Sequence, residues 1–288
     1  MPDTTATSSG LRVMRGATIG ATAAGAEGIA ALRFTAIAWW VVVVAGHIVF
    51  GAYMVGTYGV ATWHGDTAAW NRVWPTGYVP GGYVGNLIVA THVLLAAVVA
   101  ICGPLQLVPV LRRRAAWFHR WNGRIYATVA VIVGLAGLAM LAGGRDFTGA
   151  SQNLGVGMNG ILLVPCAVLA WRRARARDFA AHRRWALRLF VLAAGVMFFR
   201  MGMAAWIALH DGIVGFNPQT MQGPVLWILG VGEWAVPLLV LQVYLWAEKA
   251  RSAKGRYAVA ALLGLLTVAT GFGVYRATIG MWWPPMFS

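Results

Sequence analysis

Long apolar stretches alternate with short polar, arginine-rich ones along almost the whole chain. Seven stretches, at 34–57, 85–108, 124–143, 153–172, 185–209, 224–247 and 257–279, are built mainly of Val, Ala, Leu, Ile, Gly and Trp. Each is roughly the 20 residues that an α-helix needs to cross a bilayer, at about 1.5 Å per residue. The pattern predicts an all-α, polytopic transmembrane bundle of about seven helices, a single domain over 31–288. Residues 1–30 are mostly Ala, Gly, Thr and Ser with scattered charges and no amphipathic period, and read as a flexible cytoplasmic tail. The first strong apolar run starts near Phe34 and is long enough to span, which argues against a cleaved signal.

Charge then orients the helices. Apart from Arg72, Arg145, Arg200 and Arg276, the 23 Lys and Arg residues fall into four patches: Arg12, Arg15 and Arg33; Arg112 to Arg124; Arg172 to Arg188; and Lys249 to Arg256. All four patches lie on one side if the N-terminus is cytoplasmic, and the opposite loops hold Asp66, Asp146 and Asp211. The rule that cytoplasmic loops are positive therefore predicts the N-terminus inside and the C-terminus outside. A net charge of +15 would suggest nucleic acid in a soluble protein. Here 59% of residues are hydrophobic, 11% are charged and the mean hydropathy is +0.68. A globular domain carries about a quarter charged residues, so lipid is the expected solvent and nucleic acid is not an expected partner. The arginines are expected to meet anionic headgroups at the cytoplasmic face of a bacterial inner membrane. Trp and Tyr in the outer loop 58–84 and the tail MWWPPMFS suit chain at the membrane interface. Cys102 and Cys166 lie inside apolar stretches without metal-ligand spacing and read as small buried hydrophobes.

A weak internal echo runs through the middle of the chain. VPVLRRRAAWFHRWNGR, between helices two and three, resembles VPCAVLAWRRARARDFAAHRRWALR, between helices four and five. A duplicated hairpin would make helices two to five a pseudo-symmetric four-helix core. Polar residues inside spans are costly and mark function by default. Counted from the span ends, His47, His92, Asn159, Arg200 and Glu233 come from five helices to one level, roughly 9–15 Å below the outer surface. They are expected to line one buried site, or, for Arg200 and Glu233, to form an ion pair that pins two helices. His92 shares its helix face with Gly103 and Gln106. His119 and His182 occupy matching places in the two echoes, and His182 and Arg200, 18 residues apart, fall on one face of helix five.

GPLQ at 103–106, HRWNGRIY at 119–126, HRRWALR at 182–188 and Arg200 resemble the bacterial membrane proteins grouped as domain of unknown function 2306, over roughly residues 85–210. The resemblance singles out His92, Gly103, Gln106, His119, Gly123, Arg124, Tyr126, His182, Trp185, Arg188 and Arg200. Many relatives place Met after the Trp of the second motif, where this chain has Ala186. The resemblance implies architecture and residue choice but no activity, and leaves out His47 and Glu233.

Three classes of function are compatible with these residues. The first is a haem b electron-transfer protein. His119 and His182 would bracket an inner haem, His92 with His47 an outer one, and Arg124 and Arg188 would face propionates. A redox partner would follow from that reading. The second is a proton-coupled permease using Glu233, His47 and His92, with Arg200 for an anionic group. The third is a non-catalytic accessory subunit or homo-oligomer packed through glycine faces such as Gly155, Gly157 and Gly160, with a lipid-acting enzyme as a variant.

Overall fold

The computed structural model describes residues 6–145 and 149–286, and side chains from Gly25 onward apart from Ser151. Of the sequence expectations, the first five tail residues, Asp146 in an outer loop and the last two tail residues lie outside that range.

Among the described residues ten α-helices follow one another: α1 (Ala6–Met54), α2 (Val60–Trp63), α3 (Tyr83–Gln106), α4 (Pro109–Arg114), α5 (Ala116–Ala142), α6 (Ala150–Arg175), α7 (Phe179–Ala193), α8 (Gly195–Leu209), α9 (Pro224–Lys249) and α10 (Ala253–Ala277). Wide π-helical turns at Val55–Gly59 and Thr278–Trp282 extend α1 and α10. Six helical segments among the described residues are long and apolar enough to cross a membrane by themselves. The seventh predicted span is a pair, α7 and α8, bent by 45° at Ala194. The segment 6–30, expected as a tail, is helical and continuous with the first span. Its Ala content favours helix over coil, since Ala loses no side-chain entropy there.

The side chains match lipid as solvent. Leu87, Leu135, Leu239, Leu265 and Val268 point outward along the spans. A soluble protein rarely presents apolar surface on that scale.

The chain divides into two compact units. The first comprises residues 1–42 and 242–270. Within it Trp39 Nε1 donates to Thr270 Oγ1 (3.2 Å), and Arg256 Nη1 donates to the Gly25 carbonyl (2.7 Å). Arg256 also donates to the carbonyls of Ala247 and Ala250, so one arginine of the last basic patch ties down the α9–α10 turn. The second unit, residues 43–241 and 271–288, holds the four-helix core. α3 packs along α5, α6 along α7, and α5 joins the two hairpins through α6. Val99, Tyr126, Ala130, Leu163, Cys166, Ala167, Leu189 and Leu192 form its centre. Cys102 and Cys166 are unpaired.

Candidate functional site at the arginine-rich end of the core

The α6–α7 connection is three residues long, and its geometry explains where His182 goes. Arg177 takes a left-handed conformation (φ 57°). Its N–H reaches the Ala174 carbonyl (3.1 Å), and the Asp178 N–H reaches that of Arg173 (3.0 Å), which closes α6 with a Schellman turn. Asp178 then caps α7 by accepting from the Ala181 N–H (3.0 Å). The turn folds α7 straight back along α6. His182, in the first turn of α7, donates through Nδ1 to the Ala170 carbonyl (2.9 Å). That bond selects the tautomer whose Nε2 carries only a lone pair.

His119 sits in the first turn of α5, which two hydrogen bonds hold against α3. Gln106 Nε2 donates to its carbonyl (3.3 Å), and Asn122 Nδ2 donates to the Cys102 carbonyl (3.0 Å). Gly123 lies where a methyl group would meet Gln106 Oε1, and Gly103 where one would meet the Tyr126 ring, so both glycines permit the close approach of α3 and α5. His119 Nδ1 is buried without a hydrogen-bond partner. The imidazole stands within electrostatic reach of His182 and Arg112. The two motif histidines, one from each hairpin, thus lie at the same end of the core. The arginines that follow them repeat one arrangement: Arg124 lies over the Trp121 ring (4.7 Å) and Arg188 over Trp185 (5.0 Å).

The second set of sequence candidates disperses. His92 Nδ1 donates to the Val133 carbonyl of α5 (2.9 Å), its ring nested against Gly137. His47 Nδ1 donates to Val43 of its own helix (2.8 Å), and its ring stacks on Phe190 (5.6 Å between centroids). Depth separates them. Gly59 of the α1 extension approaches Leu94 of α3, beside His92, whereas His47 lies twelve residues, about 18 Å, away along that helix. His47 and His92 therefore do not share a level and cannot bracket one haem.

Arg200 and Glu233 form no ion pair. Arg200 Nη1 is 3.4 Å from the Tyr53 hydroxyl, and its guanidinium faces the Phe50 and Tyr53 rings at 5.5 and 5.7 Å. Glu233 is 2% exposed, and neither carboxyl oxygen has a hydrogen-bond partner. Asn159 Nδ2 donates to the Leu192 carbonyl (3.0 Å), one of those that α7 leaves open at its end. The continuous face expected from His182 to Arg200 is interrupted by the bend at Ala194: His182 turns to α6 and Arg200 to α1.

Two features escaped sequence reading. Arg145, read as an outer-loop charge, donates to the carbonyls of Thr76 (3.3 Å) and Gly82 (3.3 Å) and to Asn86 Oδ1 (3.0 Å), fixing the loop before α3. A cavity of about 220 Å³ opens under that loop, lined among others by Thr57, His64, Asp66, Arg72 and Met286. The clustering of Trp, Asp and Arg in 58–84 was the available signal.

Apolar helices of spanning length, lipid-facing Leu and Val, and a core sewn together by short polar contacts define an integral membrane helical bundle. The family described as predicted membrane protein (DUF2306) matches residues 89–246, and the chain belongs to that family. The match runs from α3 through most of α9, so Glu233 falls inside it and His47 outside. No curated protein and no solved structure matches the chain.

Among the described residues no group of three or more His, Cys, Asp or Glu side chains is placed to hold a metal ion. A haem iron needs only two axial nitrogens. The inner pair fits that donor set: His182 offers Nε2, and His119 has an unsatisfied ring nitrogen. The outer pair does not fit, for the reason of depth given above.

Proposed function

We propose that this chain is a haem b-binding electron-transfer protein of the bacterial inner membrane, with His119 and His182 as axial ligands. The reading rests on one observation: the histidines of two hairpins stand within electrostatic reach of each other at the arginine-rich end, and each keeps a ring nitrogen uncommitted. Imidazole pairs of this kind are common axial donors to haem iron. A bound haem would supply one-electron chemistry; the residues would hold and orient it. The Arg112 guanidinium is within electrostatic reach of His119, while Arg124 and Arg188, braced on Trp121 and Trp185, keep positive charge at the same rim for propionates or lipid phosphates. The basic rim is read as cytoplasmic, where anionic headgroups and a soluble redox partner would meet it. His92 and His47 are not assigned as ligands.

The test is a visible spectrum of the full chain, purified in mild detergent after expression with ample haem. An intense Soret band that shifts on reduction with dithionite, and disappears in His119→Ala and in His182→Ala, is the expected result. A colourless wild-type preparation refutes the assignment. So does a haem spectrum unchanged in both variants.

A further inference from the structure

α6 and α9 meet at two glycines. A methyl group on Gly155 would overlap the Gly230 carbonyl, so the two backbones touch there. Further along, Trp234 and Leu238 of α9 pack on the core cluster that includes Leu163 of α6, which makes the two helices run in the same direction. α8 meets α9 where Gly202 faces Leu229. At about 100° per residue, Glu233 falls between the direction of Leu229, toward α8, and that of Gly230, toward α6. Its side chain therefore enters the groove between α6 and α8, about one turn past the glycine contact and about 14 Å along α9 from Pro224.

Asn159 occupies the same groove. It lies one turn beyond Gly155 on α6, and its amide rests against Gly195 of α8 so closely that a methyl group there would collide with it. One N–H of its Nδ2 goes to the Leu192 carbonyl, while its Oδ1 is buried and without a partner. Glu233 offers two more oxygens without partners. Unpartnered acceptors from two helices thus turn toward one groove, an arrangement that costs free energy unless a positive hydrogen or cation joins them. Among the described residues no charged side chain pairs with Glu233. α6 presents Gly155 and Asn159; the cation of α8, Arg200, is two residues from Gly202 and so on the opposite side, over the α1 rings; His47 of α1 stacks on Phe190.

We infer that Glu233 and Asn159 form a proton-binding site within the membrane domain, in which the protonated carboxyl donates its O–H to Asn159 Oδ1. The ligand is a proton, taken up by one carboxylate oxygen with no other bond made or broken. The site is independent of the haem assignment: it shares no residue with the His119–His182 pair and stands whether or not the chain is coloured.

Infrared spectroscopy of the purified full chain in sodium-free buffer reads it directly. The expected result is the carbonyl stretch of a protonated carboxylic acid near neutral pH, lost in Glu233→Gln and moved to higher frequency in Asn159→Leu, where the O–H has lost its acceptor. Dicyclohexylcarbodiimide, an apolar reagent that adds to protonated carboxyls, gives a reading on the wild-type chain that needs no folded variant: peptide mapping should find the adduct on Glu233. Absence of both the band and the adduct overturns the proposal. A band indifferent to Asn159→Leu removes Asn159 from the site and overturns the pairing. A band and adduct that vanish when sodium chloride replaces choline chloride show a metal cation as the occupant and overturn it equally.

Discussion

The separation of Arg200 from Glu233 makes a quantitative prediction. In a bundle pinned by a buried ion pair, removing either partner strands the other charge and costs about 3–5 kcal/mol, and removing both recovers much of it. The observed contacts give a different ledger. Arg200→Met loses one long hydrogen bond to the Tyr53 hydroxyl, at 3.4 Å, and two cation–π contacts at 5.5 and 5.7 Å. Those are worth about 1–2 kcal/mol together. Glu233→Gln keeps the shape and can donate an N–H where the carboxyl O–H would, so its expected cost is below about 1 kcal/mol. Since the two side chains address different helices, the double variant should equal the sum of the singles within about 0.5 kcal/mol. Unfolding of the full chain in detergent, followed by tryptophan fluorescence for all four proteins, measures each corner of the cycle. A coupling above about 1.5 kcal/mol, with the double variant more stable than either single, would refute the separation and restore the ion pair.

Two further perturbations probe the local devices. Arg177→Gly should raise stability by about 0.5–1 kcal/mol, because glycine takes the left-handed φ of 57° without steric cost; a lower unfolding midpoint would contradict the Schellman turn. Arg145→Ala removes hydrogen bonds to Thr76, Gly82 and Asn86, and should cost about 2 kcal/mol locally, seen as faster proteolysis within 58–84 while the core midpoint barely moves; unchanged cleavage would show that the loop is held by other contacts.

What was legible in the sequence follows from how far each constraint reaches. The spans were readable because the bilayer acts on average composition over some twenty residues, and that signal survives errors of several positions. The matching placement of His119 and His182 in the first turns of α5 and α7 was readable from the repeated His-Arg and Trp pattern, because a repeat carries its local structure with it. Depth was not readable for α1. Counting inward from a span end assumes that the helix stops at the membrane, but this one runs through a π-helical turn to Trp63, which displaces His47 from its supposed level. The bend at Ala194 was equally hidden. The residues around it, LFVLAAGVMFF, are apolar without a proline, and its hydrogen-bond support comes from Asn159 on another helix. A contact of that kind has no local signature.

That bend decides what chemistry the core can hold. On a straight helix His182 and Arg200, 18 residues apart, would share a face. A helix that turned His182 toward α6 would then turn the guanidinium the same way, toward Asn159, and Glu233 would have a counter-charge. The 45° break lets α7 follow α6 while α8 directs Arg200 to Phe50 and Tyr53. The cation is removed from the carboxyl, and both Glu233 oxygens are left without a partner. Asn159 is central to both results, since its Nδ2 braces the open Leu192 carbonyl and its Oδ1 faces the groove. Asn159→Asp separates the two roles: an acceptor remains for the Glu233 proton, but the donor to Leu192 is gone. Its unfolding midpoint should therefore fall as far as that of Asn159→Leu, while the carboxylic acid band stays nearer to its wild-type frequency. Equal band shifts in the two variants would mean that Asn159 serves the bend and nothing else.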